Sequence, residues 1–172
     1  MSEVSAKRVI QNFFRDNESE LLSGINHYGV QRTFSHITRS TLTPPTGYYF
    51  VAIHVDNKEF RKKLDPANDL FDIPKTWFYR LTVSILDYVG AVAGETELYE
   101  AMNDDFNLIT DRIIDLLEKK YNEQTYFTDN LSRFRLFSDT DITCENSEIY
   151  WPEAESFAAY LISEIKFDLE EC

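Results

Sequence analysis

Near the end of the chain, Glu164-Ile165-Lys166 follows Pro152-Glu153. A carboxylate pair that holds Mg²⁺ and a lysine that stabilises charge at phosphorus would hydrolyse phosphodiesters. Glu-x-Lys is also what the solvent face of a half-buried strand often presents, and a chain of net charge −13 lacks the electrostatic footprint for DNA. Asp104, Asp105, Asp111 and Asp115 form a second acidic group, in which Asp111 and Asp115 at i, i+4 share a helix face suited to a hard cation. With Arg112 and Lys119 among them, they equally make the polar face of an amphipathic helix that needs no ion. Asp139 and Asp141 open like an EF-hand loop, but Cys144 stands where the turn glycine belongs and Tyr150 where the bidentate glutamate belongs.

The remaining reactive residue types are sparse. His27, His36 and His54 have no second His, Cys or carboxylate pair at ligand spacing, and Cys144 beside Glu145 has no cation to lower its pKa. GxGxxG, P-loop, GxSxG and HExxH patterns are absent from the sequence. Tyr48-Tyr49 and Trp77-Phe78 would stack bases only with interleaved basic residues, and otherwise read as core and interface aromatics. The expectation is a protein without catalytic residues, metal or cofactor. The densest charge lies in Lys58, Arg61, Lys62 and Lys63, followed by Asp65, Asp69 and Asp72, in a stretch that also holds Pro66 and Pro74. Long excursions in compact domains usually do something. The stretch therefore predicts a protruding hairpin or loop around 56–76 whose Lys58, Arg61, Lys62, Lys63, Asp69 and Asp72 contact a partner.

The elements that must position these residues follow from periodicity. Val9, Ile10, Phe13 and Phe14 fall on one face of a short N-terminal helix over Val4 to Phe14. Gly24 to Gly29 stops helix, and Val30 to Ile37 alternates as a strand. Thr43-Pro44-Pro45-Thr46-Gly47 is a turn, and Tyr48 to Val55 is a strand apolar on both faces, bounded by Asp56-Asn57. Trp77 to Val89 alternates Trp77, Tyr79, Leu81, Val83, Ile85 and Val89 against Arg80, Thr82, Ser84 and Tyr88. From Thr96 to about Lys120 the apolar positions Leu98, Met102, Phe106, Ile109, Ile113, Leu116 and Leu117 recur in steps mostly of three or four, which predicts a long helix. Phe134, Leu136 and Ile142 mark one or two short strands, and Phe157 to Leu169 a closing one-sided strand. Strands, one long helix and more strands predict an α+β fold: a largely antiparallel sheet with the long helix and the short N-terminal helix packed on one face.

At 172 residues the chain is sized for a single domain over 1–172. Thirteen Phe and ten Tyr supply large buried areas, so two cysteines, too few for a disulfide framework, are not needed as staples. A reducing compartment fits. No apolar run approaches the roughly 20 residues of a membrane span, and the start MSEVSAKRVIQNFF lacks a secretion signal, so a soluble intracellular protein is expected. Charge is uneven: residues 1–90 carry eleven Lys/Arg against ten Asp/Glu, residues 91–172 six against twenty. A neutral half and an acidic half on opposite faces of one domain would give its partners a polarity.

The order of elements resembles that of the tail terminator proteins of long-tailed bacteriophages, the lambda-type minor tail proteins that form a ring. The likeness rests on VIQNFF, on WFYRLTVSILDYV, on the helix ETELYEAMNDDFNLITDRIIDLL, on the short strand pair near FRLFSDTDITC, and on FAAYLISEIKFDL. It covers residues 77–170 in pattern and the first 76 loosely; the insertions at 24–47 and 58–75 set this chain apart. What the resemblance implies is a structural virion protein: a hexameric ring of identical subunits that caps the tail tube, ends its polymerisation and joins tail to head–neck connector. Its partners would be the tail tube protein and a neck or connector protein, with DNA passing through without specific binding and no membrane. It would be assembled in the host cytoplasm and reside in the virion. Another ring protein of the neck fits the same layout. Two further readings stand beside it: an acidic DNA mimic that occupies a basic partner, and the Mg²⁺-dependent nuclease.

Overall fold

The apolar cluster near the N-terminus lies on one face of α1 (Ser2–Asp16), and Val9, Ile10, Phe13 and Phe14 are all buried. The structure is a computed structural model that describes residues 2–27, 30–31, 33–36, 48–62, 75–91, 96–123, 125–130, 132–136, 141–151 and 158–172. After α1 comes the single turn α2 (Glu18–Leu21), whose exit passes through Gly24 at φ 75°. A Cβ there would meet open space, so it is the left-handed backbone, not crowding, that favours glycine. The strands β1 (Asn26–His27), β2 (Val30–Gln31) and β3 (Thr33–His36) lead to β4 (Tyr48–Lys62) and β5 (Lys75–Ala91). The long helix α3 (Thr96–Asn122) follows, then β6 (Phe127–Thr128), β7 (Arg133–Leu136), β8 (Thr143–Trp151) and β9 (Ala158–Glu171).

The fold is α+β. Seven strands form one sheet in the order β3-β4-β5-β9-β7-β6, with β8 also pairing β9, and β1 and β2 form a separate small pair. Every pairing in the large sheet is antiparallel except β3 with β4. Alternation decides the faces: Tyr79, Leu81, Val83 and Ile85 of β5, with Leu161, Ile165, Phe167 and Leu169 of β9, point to one side and are buried. Met102, Phe106, Ile109, Ile113 and Leu117 of α3 join them in one apolar cluster with the buried face of α1. Each such side chain removed from water contributes about 1.5–3 kcal/mol. Both helices therefore cover the same sheet face.

Several expectations need correction. The strand ending at Val55 instead continues to Lys62 across an irregularity between Val55 and Asn57. The single strand over 30–37 is two short pieces in different sheets, β2 and β3. A nine-residue strand, β8, begins just after Ile142, where the sequence marks no strand of that length because TCENSEIYW has no apolar alternation. Asp87 sits on the core face of β5 and is fully buried, opposite the equally buried Tyr49. The turn at 43–47, Gly94, Pro152, Glu153 and Phe157 lie outside the described residues.

Candidate interaction surface

The arm made by β4 and β5 begins at the irregularity in β4. Val55 pairs with Leu81 but Asn57 pairs with Arg80, so Asp56 is an extra residue in the ladder. Its carboxylate accepts a hydrogen bond from the Thr82 hydroxyl, and His54 Nε2 lies 3.7 Å from its Oδ1. One extra residue reverses which side chains point to which face beyond it. Lys58 thereby comes opposite Tyr79 and Phe60 opposite Trp77, on the helix side of the sheet, while Glu59 comes opposite Phe78 on the other side.

The pairing of β5 with β9 ends at Phe78–Glu170, whereas β4 and β5 pair on to Lys62–Lys75. The root of the arm is tied down: the Thr76 hydroxyl donates to the Glu171 carbonyl, and the Tyr79 hydroxyl donates to Glu171 Oε2 at 3.3 Å. Between these two ties Trp77 stacks with Phe60 opposite it, ring centroids 4.9 Å apart and planes 35° from parallel. Lys58 Nζ sits 5.9 Å from the Trp77 ring centroid, within cation–π range. Phe60 remains 49% exposed and Trp77 36%. Two large stacked rings, partly exposed and with a cation over one of them, make a platform for a partner.

The expected interface residues divide. Lys58, Arg61 and Lys62 are in β4 on the arm. Lys63, Asp65, Asp69 and Asp72 lie outside the described residues, as do Pro66 and Pro74. Phe60 was not singled out from the sequence. Its signal was there, an aromatic residue among Lys58, Glu59, Arg61 and Lys62, but its partnership with Trp77 depends on the extra residue at Asp56.

The opposite sheet face carries ion pairs. Arg80 grips Asp168 with two nitrogens, at 3.0 and 3.3 Å, and Arg135 Nε donates to Glu170 Oε2 at 2.7 Å. Both acids are buried, and the hydrogen bond and charge from each raise its arginine's pKa above the ordinary value. Glu164 and Lys166 occupy the same face, half-buried and exposed, and Glu145 faces Glu164 across β8 and β9. Among the described residues, no three His, Cys, Asp or Glu side chains lie close enough to hold a metal ion. Cys144 Sγ is 3.2 Å from Ser163 Oγ and 3.5 Å from Asn146 Oδ1. Arg112 reaches across to the neighbouring helix. It donates to the backbone carbonyls of Leu21 at 2.9 Å and Ser23 at 2.8 Å, fastening α2 to α3.

The outer ridge of α3 is the second surface. Glu100, Asp104, Asp111, Asp115 and Glu118 are exposed along it, and Leu108, 41% exposed, sits in the middle. No protein-family model matches this chain, and comparison with curated proteins finds no match.

Proposed function

We propose that this chain is a structural, ring-forming protein of a phage tail or neck, a tail terminator that caps the tail tube, ends its polymerisation and joins it to the head–neck connector. The observation that carries this reading is the β4–β5 arm, with Phe60 and Trp77 stacked and partly exposed where the β5–β9 pairing ends. Large, partly exposed aromatic rings are a common place for a second molecule to bind. The α+β arrangement, with both helices on one sheet face, agrees with the layout from which the resemblance was drawn. A ring requires heterologous contacts that close by rotation, and a chain whose first half is neutral and whose second half is acidic has the asymmetry for them. In this reading the protein has no catalytic role, and DNA passes through the ring without specific contact.

Negative-stain microscopy of the purified chain, alone and with the tube protein encoded beside its gene, tests the proposal. Rings with a central hole and tubes closed at one end are expected. A chain that stays monomeric and leaves tube length unchanged would overturn it.

A further inference from the structure

We infer that the end of β9, residues 170–172, is a strap that couples the β4–β5 arm to the β6–β7 hairpin, so that loosening either one loosens the other. In the sheet, β9 lies between β5 and β7. Its ladder with β5 ends at Phe78–Glu170, and its ladder with β7 pairs Leu136 with Leu169, Arg135 with Glu170 and Phe134 with Glu171. Past the end of the first ladder, one peptide group is bonded on both sides. The Glu171 carbonyl accepts from the Thr76 hydroxyl of β5, and the N–H of the same peptide, that of Cys172, donates to the Arg133 carbonyl of β7 at 2.8 Å.

A peptide group is planar and stiff, and in a strand its C=O and N–H point to opposite neighbours. Thr76 therefore cannot draw the Glu171 carbonyl with it without turning the Cys172 N–H off Arg133. The two bonds also reinforce each other, because a donor on the oxygen polarises the N–H. Side chains repeat the arrangement: the Tyr79 hydroxyl of β5 donates to Glu171 Oε2 at 3.3 Å, and Arg135 Nε of β7 donates to the buried Glu170 Oε2 at 2.7 Å. Thr76 lies in a row of the arm that the β5–β9 ladder does not reach, so its tie to Glu171 extends the hold of β9 into the arm. On the other side, β7 pairs with β6, and Phe127 of β6 meets Phe13 of α1 with ring centroids 5.8 Å apart. What happens at the arm is thereby felt where the hairpin packs on α1. This coupling holds whether or not the chain forms a ring.

Hydrogen exchange of the full chain, read by mass spectrometry with urea unfolding alongside, tests the coupling. The arm-side variant, Thr76→Val with Tyr79→Phe, removes two donors from Glu171 and keeps the side-chain shapes. The hairpin-side variant, Arg135→Met with Glu170→Gln, removes the ion pair without leaving a buried charge. The first should speed exchange in residues 133–136 and the second in residues 75–79, each by about three- to tenfold, the change in local opening that one lost hydrogen bond gives. Exchange in residues 81–85 should stay as in the wild type. An effect confined to the side that carries the substitutions overturns the coupling, since two ordinary structural contacts would behave that way. A rise that reaches residues 81–85 to the same degree reports lost overall stability and also counts against it. Should the arm-side variant fail to fold, Thr76→Val alone replaces it, and Arg135→Lys replaces the hairpin-side variant, with the same outcomes deciding.

Discussion

Phe60 and Trp77 face each other across the β4–β5 ladder because Asp56 is one residue more than the ladder needs. Read in straight alternation from Tyr49, β4 would place Glu59 beside Trp77 and turn Phe60 to the opposite face. The extra residue trades an acid for an aromatic ring on the helix side, and leaves both rings partly in water at the root of the arm.

Removing the anchor of that irregularity should be felt locally. Asp56→Ala deprives the nearly buried Thr82 hydroxyl of its acceptor. A loss of about 1 kcal/mol in urea unfolding is expected, with an unchanged denaturant slope.

Two neighbours on α3 should behave oppositely. Ile109 is fully buried under the sheet and Leu108 is 41% exposed on the ridge. Ile109→Ala should cost about 2–5 kcal/mol, and Leu108→Ala within about 0.5 kcal/mol, in the same unfolding assay. Equal losses would place the helix in the wrong rotation.

Arg112→Ala should detach the α2 turn from α3. Two carbonyls lose a charged donor, so a loss of about 1–3 kcal/mol is expected. Amide hydrogen exchange in residues 18–25 should rise before exchange in the sheet does.

Reversing Arg61, Lys62 and Lys63 to Glu should leave circular dichroism unchanged and weaken assembly. Rim charges are worth only about 0–1 kcal/mol each but act together and are screened by salt. The wild type's association should therefore fall as salt rises, while the triple variant's should respond less. Unchanged assembly and unchanged attachment to tails in that variant would mean that the loop is merely solvated.

Glu164 and Lys166 should support no chemistry. Incubation with duplex DNA and Mg²⁺ or Mn²⁺ should leave the DNA intact. Cleavage that disappears in Glu164→Ala would replace the structural role by a nuclease.

The sequence by itself determined the elements whose burial is one-sided and long. The stripe Met102, Phe106, Ile109, Ile113 and the alternations in β5 and β9 each repeat their own period often enough to declare helix or strand, and the structure buries those faces together. The basic stretch from Lys58 was legible as an excursion, since its charge could not belong to a core. Tertiary structure alone decided what depends on a partner. The polar strand β8 exists because β9 offers it a ladder, and β3 runs parallel to β4 through contacts no local pattern encodes. The placement of Phe60 beside Trp77 required the register of two strands to be known, and the fastening of α2 by Arg112 required two helices to meet 91 positions apart in sequence. Periodicity reports whether a residue faces the interior; which residue it faces is fixed only when separate elements pack and their backbone groups must find partners.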